Sequence, residues 1–149
     1  MPQCRRSLRL AVFAAGVALL GAASAPAGEP PPSSNVVEFV TQAQGSGGVV
    51  RCGLFRQEGW LKNPVQPAAA KIHGGRALCV FRGISPGTYG LSAFHDENNN
   101  GKLDTNFLGM PVEDYCASNN ARGTFGPPSF GDAKFQYGGG TKRLEARLK

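Results

Sequence analysis

The segment His95-Asp-Glu-Asn-Asn-Asn-Gly-Lys-Leu-Asp-Thr-Asn-Phe-Leu-Gly109 holds the densest run of side chains able to do chemistry. Asp96, Asn98, Asn100 and Asp104 offer oxygens, and Gly101 stands between the third and fourth. The spacing matches positions 1, 3, 5, 6 and 9 of a calcium loop. A hard cation gathers several oxygens from a short stretch of backbone, and the glycine permits the sharp turn that aims them inward. Lys102 would lend its backbone carbonyl, and Leu103 takes the apolar eighth position. Phe107 stands where a helix–loop–helix site carries its bidentate glutamate, so Glu113 must fold back to close the shell, with Asp114 as the alternative. Two of the ligands are neutral asparagines, which sets an expected calcium Kd of about 10⁻⁴ to 10⁻³ M. The same residues also fit a metal-free hairpin tip, because Asn and Asp close turns with their own side chains and tolerate left-handed backbone.

Other reactive groups are sparse. His95 beside Asp96 has the makings of a general base, and Ser118 or Cys116 would be its nucleophile in a small hydrolase. Neither Ser118 nor Ser129 sits in a nucleophile-elbow context. His95 reads better as a structural histidine bonding the irregular segment that follows it. The function expected is therefore non-enzymatic: a binding or structural module, with the loop from His95 to Phe130 as its working surface. Within that loop His95, Asn106, Tyr115, Ser118, Asn119, Asn120 and Phe130 are the candidate contacts. His73, next to Gly74-Gly75, reads as surface, and Trp60 as a core plug.

The elements that must position these groups read as short strands. Asn35 to Thr41 places Val37, Phe39 and Thr41 on one face, and Val49 to Phe55 does the same with Val50, Cys52 and Leu54. Gln57 to Ala69, with Pro64 and Pro67, reads as a loop. Lys71-Ile72 would open a strand that Gly74-Gly75 interrupts, and Arg76 to Arg82 is a clearer one. The turn Ile84-Ser-Pro-Gly-Thr-Tyr89 enters a strand ending at His95. In Ig-like and transthyretin-like sandwiches such a tyrosine packs at a sheet corner with its hydroxyl on backbone. Leu144, Ala146 and Leu148 alternate with charged residues in a terminal strand. Thr105 to Phe135 shows neither period. Its scattered Phe107, Tyr115, Phe125, Phe130 and Phe135 suggest a loop packed onto the body. The fold expected is an antiparallel β-sandwich of about seven strands, transthyretin-like first, with one long irregular loop.

The N-terminus reads as a secretory signal. Arg5, Arg6 and Arg9 precede an apolar run from Leu10 to Ala23, too short for a membrane span, and cleavage is expected after Ala27. Residues 1–27 are then the signal, 28–34 a flexible lead-in and 35–149 a single domain. Arg5-Arg6 leaves twin-arginine export as the second route. The product would be periplasmic or secreted, without a membrane span. Of 16 basic residues three leave with the signal while all 10 acids stay, so a net charge of +6 becomes +3. That mild surplus, without a dense patch or motif, argues against nucleic acid. An unidentified extracytoplasmic ligand or protein remains the expected partner.

Of the cysteines, Cys52, Cys79 and Cys116 survive cleavage. In an oxidising compartment a pair bridges, and Cys52 and Cys79 lie mid-strand in separate strands. Their bridge would contribute about 3.5 kcal/mol in the chain-entropy model. Cys116 is left over. It reads first as a small buried apolar residue, which makes the chain a monomer. Pairing with a second chain would instead make a disulfide-linked envelope interaction protein.

The composite of His95 to Asn106, Gly109-Met-Pro-Val-Glu113, Ser118-Asn-Asn120 and Gly126-Pro-Pro-Ser-Phe130 resembles the domain-of-unknown-function 2141 family of exported bacterial proteins. The resemblance runs over nearly the whole chain after the signal. It implies an exported single-domain β-sandwich and brings no assigned reaction. The chain departs at Asp114-Tyr-Cys-Ala117, where members usually read Gly-Tyr-Gly-Phe, so Cys116 inherits no family role.

Overall fold

The computed structural model describes residues 35–124 and 126–149. The signal, the lead-in and Phe125 lie outside the described residues. The described residues form eight strands: β1 Val36–Gln42, β2 Val49–Phe55, β3 Gln66–Lys71, β4 Arg76–Arg82, β5 Gly87–Asp96, β6 Tyr115–Ala117, β7 Phe135–Tyr137 and β8 Thr141–Arg147. One α-helical turn, α1, spans Phe130–Ala133, and 3₁₀ turns lie at Gln57–Gly59 and Ser118–Asn120. Two sheets result. One runs β4-β1-β8; the other runs β3-β2-β5-β6, with β7 pairing the start of β5.

The period-two pattern explains the layering. Val37 and Phe39 of β1, Cys79 and Phe81 of β4, and Val50, Leu54 and Leu91 of the opposite sheet join one buried cluster. Alternate side chains of a strand face opposite sides, so each sheet turns one apolar face to the other. Cys52 and Cys79 bridge β2 to β4, and hence sheet to sheet, with Cα atoms 6.4 Å apart. Tyr89 is buried and its hydroxyl donates to the Ser85 carbonyl at 2.9 Å, the corner bond its turn predicts.

Three details differ from the sequence reading. The sandwich is not wholly antiparallel: β8 runs parallel to β1, Phe39 opposite Leu144. The loop Gln57 to Ala69 ends early, because Gln66 to Ala69 already belong to β3, with Pro67 opposite Gly53. Strand β3 is an edge, where a proline costs no ladder bond. Finally, the irregular stretch hides β6, α1 and β7. Elements of three or four residues show no period; they form because β5 and the body supply their partners. Trp60 plugs a small satellite cluster: half-buried, it packs edge-on against Phe55 and Phe130, and its indole N–H donates to the Pro128 carbonyl at 2.8 Å. Gly90 makes room for it, since a Cβ there would lie 2.7 Å from the indole ring.

Candidate functional site

Strands β5 and β6 are antiparallel neighbours, with Phe94 opposite Tyr115, and residues 97–114 form the long connection between them. At its base the His95 N–H donates to the Asp114 carbonyl at 2.8 Å. Higher up, Thr105 bridges Pro111, and the Val112 N–H donates to the Asp104 carbonyl at 2.9 Å. The connection is a two-stranded finger rather than a packed loop.

Three carboxylates shape it from within. Asp96, wholly buried, accepts N–H bonds from Asn100 and Gly101 at 2.9 Å each, and from the Arg51 guanidinium. Burial alone would raise the Asp96 carboxyl, but Arg51 and the two backbone donors outweigh it and hold it below the usual carboxylate value. Glu113 accepts from the Glu97 N–H at 3.1 Å and the Asp104 N–H at 3.0 Å, lacing the two arms together. Asp104 accepts from the Asn98 and Asn100 amides at 2.7 and 2.8 Å. The side-chain Oδ1 atoms of Asn98 and Asn100 accept the backbone N–H groups of Asn100 and Lys102 at 3.0 and 2.8 Å. Gly101, at φ 83°, makes the turn. Below it the Gly45–Gly48 turn passes so close that a Cβ at Gly48 would collide with the Asp96 carbonyl.

The calcium candidates Asp96, Asn98, Asn100, Lys102, Asp104 and Glu113 thus meet on one finger, and the side-chain oxygens of Asp96, Asn98, Asn100, Asp104 and Glu113 accept hydrogen bonds within it. Arg51 forms an ion pair with Asp96. Among the described residues no group of three or more His, Cys, Asp and Glu side chains is placed to share one metal ion. The sequence missed Arg51 because it comes from β2: Val49 lies opposite Asp96, which makes Arg51 its diagonal neighbour across the strands.

The tip is apolar. Asn106 pins it, its side-chain oxygen accepting from the Leu108 and Met110 N–H groups at 2.9 and 3.1 Å. Around it Phe107 is 94% exposed, Leu108 72%, Met110 59% and Val112 63%. Phe107 therefore does not pack on the body, contrary to the expectation for the scattered aromatics. The rest of those aromatics that are described do pack: Tyr115 stacks under Arg122, Phe130 against Trp60, and Phe135 is buried.

The other candidates serve the frame. His95 is buried, with Nε2 2.6 Å from the Gly47 carbonyl and Nδ1 without a hydrogen bond, 3.6 Å from the Glu97 carboxylate. Ser118 is buried; its hydroxyl donates to the Ala133 carbonyl and accepts the Leu91 N–H at 2.9 Å. Asn119 is exposed yet spends its amide on the Asp132 and Lys134 carbonyls at 3.0 Å each. Asn120 accepts the Arg147 N–H at 3.0 Å. Cys116 is buried, and burial pushes its thiol up to about 12. Neither ring nitrogen of His95 is hydrogen-bonded to Ser118 or Cys116.

The family model described as "uncharacterized protein conserved in bacteria (DUF2141)" matches residues 39–145, which takes in both sheets and the whole finger. The chain belongs to the DUF2141 family. No curated protein and no solved structure matches it. Membership brings no assigned reaction. No helix among the described residues is long and apolar enough to cross a membrane.

Proposed function

We propose that this DUF2141 chain is a non-enzymatic binding module of an exported protein, and that the β5–β6 finger is its contact surface. One observation carries the reading: four large apolar side chains stand exposed together on an arm built by hydrogen bonds. Exposed apolar groups clustered on an ordered arm mark contact sites, whereas scattered ones mean nothing. Thr105 to Val112 carries no charge. His95 lies within hydrogen-bond distance of the Gly47 carbonyl, and Ser118 donates to the Ala133 carbonyl. Serine at Phe107, Leu108 and Met110 tests the reading: in gel filtration of extracts from the producing cell the natural chain elutes in a complex, and the triple variant elutes at its own size. Equal elution of the two contradicts it.

A calcium-held finger is the second reading. It is favoured by the clustering of Asp96, Asn98, Asn100 and Asp104 around a left-handed Gly101, the sixth position of a calcium loop. A thermal midpoint that climbs with calcium but little with magnesium, and no longer climbs in Asp104→Asn, supports it. A midpoint unmoved by EDTA or by millimolar calcium removes it.

A further inference from the structure

A second place, on β3 and β4, combines apolar surface with charge. A shallow groove of about 410 Å³ lies where β4 of one sheet runs beside β3 of the other. Val40, Ala70 and Leu78 line its floor. Leu78 is 44% exposed; apart from Val65 and the fingertip it is the one large apolar side chain so exposed among the described residues. Lys71, His73, Arg76 and Arg143 line the rim, and no acid does. Lys71 and Arg76 make no ion pair among the described residues, while Arg143 is shared with Glu38 at 3.2 Å and Glu145 at 3.7 Å.

A second basic groove, of about 470 Å³ at the end of β8, shows the contrast. Glu145 lines it, Arg122 donates to the carbonyls of Lys149 and Arg147, and the Arg147 Nε–H donates to Gln42. Its guanidiniums are spent on the protein. In the β3–β4 groove Arg143 is likewise engaged, but Lys71 and Arg76 make no ion pair among the described residues, and they border apolar lining.

We propose that the β3–β4 groove binds a small anionic amphiphile: a carboxylate or phosphate head on a short apolar tail. The head sits on Lys71 and Arg76, where a guanidinium can present two parallel donors. The tail covers Leu78 and the half-buried Ala70. The volume lies in the range of small-ligand clefts, about 300–1,000 Å³. Because the cations are open to solvent, the attraction must weaken with salt.

The test is a ¹⁵N NMR titration of the purified protein with octyl phosphate, octanoate and uncharged octyl glucoside, each kept monomeric. The expected result is saturable shifts of the amides around Lys71 to Leu78 with both anions and little with the glucoside. Affinity should fall about fivefold or more in 0.5 M salt, and similarly in Arg76→Gln with Lys71→Gln, but not in Arg122→Gln. Shifts centred on the fingertip, equal shifts with the glucoside, or salt-independent binding would overturn the proposal.

Discussion

Changing Asp96 to asparagine keeps the side chain's shape and removes its charge. The carboxylate has three donors: Arg51 and the N–H groups of Asn100 and Gly101. An amide offers one oxygen in place of two, so at least one donor faces an NH₂ group. Losing a hydrogen bond to a charged acceptor costs about 1.5–3 kcal/mol, and an unsatisfied buried donor about 1–3. Arg51 is 37% exposed and water relieves part of the loss, which places the total near 3 kcal/mol rather than at the sum. For a domain of this size that is a fall of roughly 10 °C in Tm. The pH dependence fixes the cause. Asp96 is depressed in the folded state, so its contribution is complete above the unfolded value of about 3.9 and is lost as pH falls through the lower folded value. Urea unfolding from pH 3 to pH 8 should show a constant gap between wild type and Asp96→Asn at neutral pH, shrinking in acid. Arg51→Gln should remove part of the same energy, so the double variant costs less than the two single losses added together. A neutral-pH loss under about 0.5 kcal/mol, or a gap indifferent to acid, would refute the reasoning.

Other outcomes follow from the same geometry. Glu113→Gln should raise amide hydrogen exchange at Glu97 and Asp104, the two N–H groups the carboxylate holds, while β1 and β8 stay protected. Cys52→Ala with Cys79→Ala should cost about 2–5 kcal/mol in urea unfolding, because the bridge ties sheet to sheet. Cys116 should resist iodoacetamide at pH 8 in the native protein and react once it is denatured, since a buried thiol raised to about 12 carries almost no thiolate. Phe107→Ser should leave unfolding within about 0.5 kcal/mol of wild type, while Phe39→Ser, in the core, should cost about 3–5.

The parts of the fold visible in the sequence were those with a period or a specific turn. Val37-Phe39-Thr41 and Val50-Cys52-Leu54 alternate cleanly, and both strands are where the alternation puts them. Tyr89 after Pro86-Gly87 predicted its own hydrogen bond. The parallel pairing of β8 with β1 could not be read, because alternation fixes a strand's faces and says nothing of its neighbour's direction. β6 and β7 are stabilised by contacts far away in sequence. At the finger, the Asx pattern at Asp96, Asn98 and Asn100 marked the bend, but the same oxygens satisfy backbone as readily as a cation. Arg51, which bonds Asp96, lies 45 positions away. Phe107 misled because an aromatic in an irregular segment usually packs, and only the bonds pinning Asn106 reveal that this one is held outward.

Site-specific photo-crosslinking in the producing cell puts the finger to the proof. A benzoyl-phenylalanine at position 107 should give a discrete adduct that disappears when Leu108 and Met110 are changed to serine, and a probe at the exposed Glu145 on β8 should not give it. No adduct at position 107, or the same adducts from both positions, would mean that the apolar tip is not a contact surface.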